Sequence, residues 1–485
     1  MTKPARLVRN WTLAVGVGLA TLTVVVGGSG VASAQESATA QNVILFIGDG
    51  LGTAQRNSIQ LATVGPYERL VMDSLPYEGM VGTNSVDPET FVTDSAASAT
   101  AMASGVKTYN GAVGIDADDN VVPTVLEQAK AAGKSTGVVT TSQVTDASAA
   151  AFGSHVEDRD EQTEIARQYI EESQPDVILG GGEDYWYPEG EPGAFPDNPP
   201  EDEEEQSQSD QGNLVAQAQQ TGYEYVTDAA GLQAATGPRI LGLFANQEMF
   251  QQNPEGEGDI YEPVVSLPRM TQKALDTLSG NEAGFFLVVE EEAIDEMGSA
   301  NNSELTIKAG QQMDESVAIA KDYADANGDT LVITVGDHEV GGLTVEETDS
   351  EEEPDESGGN EGDETADVST EDGPFDAANS DYQFVMDWTT TGHTGSDVPL
   401  TATGPGAELL TGNYENTYIY EVMADSLGVT GMSAASGATG EMPETGGMAP
   451  QDVFGDASIQ LVTVGGILLG LGGLLAYVMR LRRTD

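Results

Sequence analysis

The chain has 485 residues, 18 Lys and Arg against 81 Asp and Glu, a formal net charge of −63 and no cysteine. These counts exclude a disulfide scaffold, a thiolate metal site, a cysteine nucleophile and an electrostatic grip on nucleic acid or anionic lipid headgroups. With 39% hydrophobic residues the chain still buries a large core, so the carboxylates fall on the surface, which suits concentrated salt because screening within ~3 Å at ~1 M removes self-repulsion.

In chain order, residues 1–34 read as a secretory signal: Lys3, Arg6 and Arg9 precede an apolar run over 11–31, and Ala32-Ser33-Ala34 offers a small-residue cleavage site. The run is long for a signal core, so an uncleaved anchor is the competing reading. Residues 38–426 read as one α/β domain. Short continuous apolar runs at 43–47, 137–141, 177–179, 240–244, 285–289 and 331–335 predict strands covered on both faces. Helical patterns at 122–132, 213–220, 270–278 and 309–326 lie between them, so the expected architecture is a large, mostly parallel central sheet sandwiched by helices. Two acidic insertions, near 183–212 and 346–376, read as solvated loops, and their carboxylates lack EF-hand spacing. Residues 427–458 are rich in Gly, Ala, Ser, Thr and Pro, as in a flexible stalk. The apolar stretch 459–479 is long enough to cross ~30 Å of hydrocarbon, and Arg480, Arg482 and Arg483 would hold the tail 480–485 inside. Met442-Pro443-Glu444-Thr445-Gly446 resembles the LPxTG signal that sortases process, which makes 459–479 either a membrane helix or part of a sorting signal. Either way the expected location is the outer face of the cell, anchored or surface-attached.

The chemistry collects at strand ends, where open α/β sheets bind ligands. Asp49, bracketed by glycines, ends the run from Val43; Asp337 and His338 end the run from Leu331; Glu290 ends the run from Phe285, with Asp295 five residues on. One such Asp could merely cap a turn, but the repetition points to a shared site. The chain has three histidines, and His338 and His393 stand at glycine-flanked or strand-end positions; oxygen and imidazole ligands without sulfur suit Zn, Mg or Mn. Asp94-Ser95 opens a small-residue helical segment, a pattern equally compatible with plain N-capping and with an anion site at a helix N-terminus. A serine beside metal ligands favours a further reading, since a divalent ion makes a hydroxyl an attacking alkoxide.

These blocks resemble the alkaline phosphatases, in order, from Asn42 to about Ala407. Thr93-Asp94-Ser95-Ala96-Ala97-Ser98-Ala99-Thr100-Ala101 with Gly105-Val106-Lys107-Thr108-Tyr109-Asn110-Gly111-Ala112 is similar to the family's nucleophile signature, which implies that Ser95 is phosphorylated. The resemblance implies a second metal site at Asp49, Asp337 and His338, holding Zn or Mn, and a first at Asp295 and His393. It implies a Mg-type third site at Asp49, Ser148 and Glu290. Gln143-Val144-Thr145-Asp146-Ala147-Ser148 and His155-Val156-Glu157-Asp158-Arg159 resemble the block in which Asp146 lies near bound phosphate and Arg159 clamps it, Asp94 adding to the phosphate-binding set. His155 matches no ligand role and reads as structural. Three departures stand out. Ser299 occupies the place of an expected first-site histidine, which favours Mg or Mn there; Glu296 stands where a Lys or His is common; and Glu291 and Glu292 replace small or neutral residues. The implied activity is hydrolysis of small phosphate monoesters, with homodimerisation common among relatives. The alternatives are a phosphodiesterase of the same superfamily and a surface binding protein with a degenerate site.

Overall fold

The structure, a computed structural model, describes residues 39–198, 205–251, 259–347 and 370–430. The expected signal segment, apolar stretch, basic tail and Met442–Gly446 motif lie outside these residues, as does the expected stalk beyond residue 430; its first residues belong to the domain instead, Leu427 ending the helix Thr417–Leu427 and Val429 packing in the core. Among the described residues no helix is long and apolar enough to cross a membrane.

In chain order the first eight strands are β1 (Asn42–Gly48), β2 (Tyr77–Gly82), β3 (Ser135–Gln143), β4 (Val177–Gly181), β5 (Glu224–Val226), β6 (Ile240–Leu243), β7 (Phe285–Glu291) and β8 (Thr330–Gly336). They are followed by β9 (Glu339–Val340), β10 (Thr344–Glu347), β11 (Thr370–Asp376), β12 (Gln383–Trp388), β13 (His393–Thr394), β14 (Val398–Thr403) and β15 (Gly412–Glu415). The main sheet runs β15-β2-β14-β8-β1-β7-β3-β4-β6-β5. From β8 to β5 every pairing is parallel, while β14 runs antiparallel to both β8 and β2. The six expected strands are all in the parallel part.

The apolar runs are continuous because each strand feeds two cores. Val43, Leu45 and Ile47 of β1 join Phe286, Val288, Leu331 and Ile333 in one buried layer, whereas Ile44 and Phe46 join Phe285, Leu287, Val289 and Val332 in the other. Side chains alternate across a strand, so a strand with helices on both faces has no polar side to show. The expected helices form, and three of the four start at side-chain caps. Thr124 makes a capping box with Glu127 for Val125–Ala131, Asn213 caps Leu214–Gln220, and Asn302 starts Ser303–Asn327 earlier than the periodicity alone suggests.

The first acidic insertion departs from a solvated loop at its ends. Glu183–Trp186 forms a buried 3-10 turn, and the Glu183 carboxylate accepts from Ala194 N–H at 2.8 Å and Phe195 N–H at 2.9 Å. The carboxyl group is held there by backbone donors, a device that composition does not reveal. The second insertion is bordered by β10 and β11, both paired with β12; its residues 348–369 lie outside the described set.

Candidate active site

Parallel register brings three strand ends to one level. Ile47 of β1 lies beside Glu290 of β7 and Val335 of β8, so Asp49 and Asp337 leave neighbouring strands at equivalent points. Gly50 then turns at φ +68, and its N–H donates to Asp337 Oδ1 at 3.1 Å. A Cβ on this residue would come within 2.9 Å of Asp295 Oδ1, so the turn and the close approach both require glycine. Asp295 is carried by the helix Ala293–Ser299, which starts directly after β7. His393 arrives on β13, paired with β9 through His393 and Val340.

Glu339 is a residue the sequence reading passed over. Its carboxylate accepts from Gln55 Nε2 at 3.0 Å and from the Thr394 hydroxyl, tying the strand that follows His338 to the strand that carries His393. The available signal was a third ionisable residue in the Asp337-His338-Glu339 run.

Two groups of ligand atoms result, Asp49 with Asp337 and His338, and Asp295 with His338 and His393, each group lying within 4.8 Å. His338 Nε2 is 3.2 Å from Asp49 Oδ1 and 3.1 Å from Asp337 Oδ2, while its Nδ1 is 3.8 Å from Asp295 Oδ1. His393 Nε2 is 3.5 Å from the same Asp295 oxygen, and the two imidazoles stack with centroids 3.5 Å apart. The expectation of a first site with Asp295 and His393 alone is thus refined: Ser299 ends its helix without an imidazole, and His338 borders both groups. Ser148 Oγ lies 3.4 Å from Asp49 Oδ2, and Glu290 is fully buried beside them.

Ser95 opens the helix Ser95–Ser104, all ten residues of which are buried and nine of which are Ala, Ser or Thr, Met102 being the exception. Asp94 caps it, one oxygen accepting from Ala97 N–H at 2.9 Å and the other from Gly111 N–H at 2.8 Å. Ser95 is therefore fixed at a helix N-terminus, with its Oγ 3.2 Å from His338 Nε2. Arg159 faces the same space. Its guanidinium donates twice to Asp146, at 2.8 and 3.1 Å, and lies 3.6 Å from Asp94. Charge from Asp146 raises its pKa further, so it stays cationic. His155 stands apart, with Nδ1 2.6 Å from the Gly114 carbonyl and Nε2 3.1 Å from Glu127, a structural tie.

Burial dominates the electrostatics. It raises Asp49 well above the usual carboxylate range, with Asp337 and Asp295 adding to the effect, and burial with Asp146 pushes Glu290 to about 8. Burial and Asp295 push Asp337 to about 7, while burial and the His393 charge push His338 down to about 3, leaving it neutral and fit to be a ligand. Burial acts against both members of the Asp295–His393 pair, yet their mutual attraction wins: His393 rises to about 9 and Asp295 is held low.

Buried Asp49 Oδ1, Asp337 Oδ2 and Asp295 Oδ1 meet the two imidazoles at 3.1 to 3.5 Å without a well-formed hydrogen bond, and the Glu290 oxygens and His338 Nδ1 make none either. Four carboxylates converging on two imidazoles at zero to 8% exposure are destabilising unless cations join them. The donor set therefore fits divalent metals.

The extra carboxylates divide. Glu291, expected to add charge beside the substrate, is withdrawn into a buried cluster instead. It accepts from Thr141 Oγ1 at 2.7 Å and Tyr261 Oη at 2.6 Å, and burial pushes it to about 7. Glu292 keeps a buried, unpartnered Oε2, and burial with the charges of Asp146, Glu296 and Glu248 raises it well above its usual value. Arg159 is the cation that this corner offers an anion. Arg159→Ala should accordingly raise both KM for a phosphate monoester and Ki for inorganic phosphate by about 10- to 100-fold, the scale of a lost charge-assisted hydrogen-bond pair. Steady-state kinetics read this directly, and unchanged values would remove Arg159 from phosphate binding.

The sequence model of the family described as alkaline phosphatase matches residues 40–429. The chain belongs to the alkaline phosphatase family. Alkaline phosphatase 4 of Bacillus subtilis (strain 168) is 32% identical over 433 residues, covering 80% of this chain and 88% of the relative. Alkaline phosphatase of Escherichia coli (strain K12) is 34% identical over 442 residues, covering 80% and 86%. The solved alkaline phosphatase from the Antarctic bacterium TAB5 superposes with a TM-score of 0.62 at 28% identity, over 81% of this chain and 98% of that one. The phosphatase is thus a metal-dependent phosphomonoesterase whose ten-stranded sheet is the family's own.

Proposed function

We propose that this phosphatase hydrolyses small phosphate monoesters through a phosphoserine at Ser95. The observation that supports it best is the Ser95 hydroxyl, fixed at a helix N-terminus and 3.2 Å from a neutral imidazole within the buried Asp49/Asp337/His338 group. Cations held there, at Asp295/His393 and at Asp49/Ser148/Glu290 would supply the positive charge that lowers the hydroxyl's pKa, stabilises the leaving oxygen and activates water. Zn or Mn suits the Asp49/Asp337/His338 group, Mn is the ion that best suits Asp295/His393 with its missing imidazole, and Mg suits the oxygen-only third. Ser95 Oγ attacks phosphorus; the P–O bond to the alcohol breaks, and the alcohol leaves with a proton. Water then displaces Ser95 and releases inorganic phosphate. Arg159, aligned by Asp146 and Asp94, holds two equatorial oxygens while negative charge redistributes over them.

The basic and apolar segments at 1–34 and 459–485 support export and tethering at the outer cell face, and the net charge of −63 supports work in concentrated salt. Phosphate release from an aryl monoester and from the matching diester, measured across KCl concentration with Zn, Mn and Mg, tests the reading. Faster monoester hydrolysis is expected. Preference for the diester would favour the phosphodiesterase alternative, and no activity under any combination would favour a binding protein with a degenerate site.

A further inference from the structure

Phe91, four residues before Ser95, is an aromatic side chain left 65% exposed. One edge of its ring nonetheless packs on a second segment of the chain. It lies against Gly395, where a Cβ would come within 2.6 Å of Phe91 Cε2, so a glycine is needed for the ring to rest there. The backbone on either side is tied down as well: the Phe91 carbonyl accepts from Ser85 N–H at 3.3 Å, and the Thr93 carbonyl meets His393 Nδ1 at 3.0 Å. The segments 91–95 and 393–395 therefore run together, one carrying the nucleophile and the other a ligand of the Asp295/His393 group. Val86, 51% exposed on the same loop, adds apolar surface.

This placement matters because of the direction in which the ester must lie. In-line displacement puts the leaving oxygen opposite Ser95 Oγ. In the function proposed above, on which this inference rests, Ser95 Oγ belongs to the Asp49/Asp337/His338 side, which leaves the Asp295/His393 group to receive the leaving oxygen, so the rest of the alcohol passes the rim where Phe91 covers Gly395. Arg159, by contrast, is paired with Asp146, whose charge acts on Glu292 together with that of Glu296, so this part of the site is ionic and gives an apolar substituent no stacking surface. We propose that Phe91 is a specificity-determining residue, an apolar platform on which the alcohol portion stacks, selecting phosphate monoesters of aromatic alcohols over aliphatic ones. A stacked aromatic pair contributes enough to shift selectivity about three- to tenfold.

The test compares benzyl phosphate with ethyl phosphate, esters of two primary alcohols of similar acidity, so that leaving-group chemistry is nearly constant. In metal-loaded full-length enzyme the benzyl/ethyl ratio of kcat/KM should fall about three- to tenfold in Phe91→Ala, while ethyl phosphate turnover stays within twofold; Phe91→Trp should restore the ratio. Binding gives an independent readout: benzylphosphonate should lose a similar factor in Ki, and ethylphosphonate should not. An unchanged ratio, with both esters still hydrolysed, overturns the platform alone. An equal loss for both esters, accompanied by a change in sedimentation, would make Phe91 a contact between copies of the chain and overturns it too. Failure of the wild type to hydrolyse either ester overturns the phosphatase chemistry first and the platform with it.

Discussion

Ser95→Ala is expected to lower turnover of a phosphate monoester by at least about a thousandfold while leaving the fold intact, the scale seen when a covalent nucleophile is removed. Both halves of this expectation come from the site. The Ser95 hydroxyl has His338 as its neighbour, whereas the helix cap is provided by Asp94, and Ser95→Ala removes a single oxygen from a turn that continues Ala96, Ala97 and Ser98, so it opens no sizeable cavity. Melting temperature should therefore change little, and inorganic phosphate should still bind through Arg159. Activity near the wild-type level would remove Ser95 from the chemistry.

The second large effect is the pH dependence of the metal-free protein. Chelation leaves Asp49, Glu290, Asp295 and Asp337 together without cations, and the sign of the consequence above neutrality is fixed by the shifted groups. Asp337 at about 7 and Glu290 at about 8, both raised first by burial, have folded pKa values above their unfolded ones. His393 at about 9 is raised likewise, by Asp295 against the effect of burial. Each binds a proton in the folded state that the unfolded chain has released, so stability falls as pH rises through these values. His338, lowered to about 3, acts in the opposite sense only below about 6.5 and leaves the alkaline window unaffected. The chelated protein should thus melt several degrees lower at pH 9 than at pH 6.5, and Zn with Mg should restore much of the difference. A chelated protein that melts as high at pH 9 as the loaded one would contradict the assignment of these carboxylates to metal.

Much of this was legible because the site lies at the ends of buried parallel strands. Continuous apolar runs ending on Asp49, Glu290 and Asp337 announce both the element and the carboxylate at its end, and parallel register then aligns them without further information. The outer strands were not legible for the same reason reversed. β14 carries Pro399 and β2 carries two glycines, while β15 is polar, so none shows an apolar run. Glu291 could not be separated from Glu290 and Glu292 by sequence, since its withdrawal depends on Tyr261 and Thr141, 30 and 150 residues away. The position of His338 between two ligand groups is likewise a matter of ring stacking with His393, which spacing along the chain does not encode.

The central claim, a phosphoryl group carried covalently by Ser95, is tested most directly by incubating the metal-loaded enzyme with a phosphate monoester or inorganic phosphate, quenching in acid and mapping peptides by mass spectrometry. A phosphorylated peptide containing residues 93–104, modified on Ser95 and absent from Ser95→Ala, is the expected result. Full hydrolytic activity with no phosphopeptide under any quench, or with the label on another residue, would contradict it.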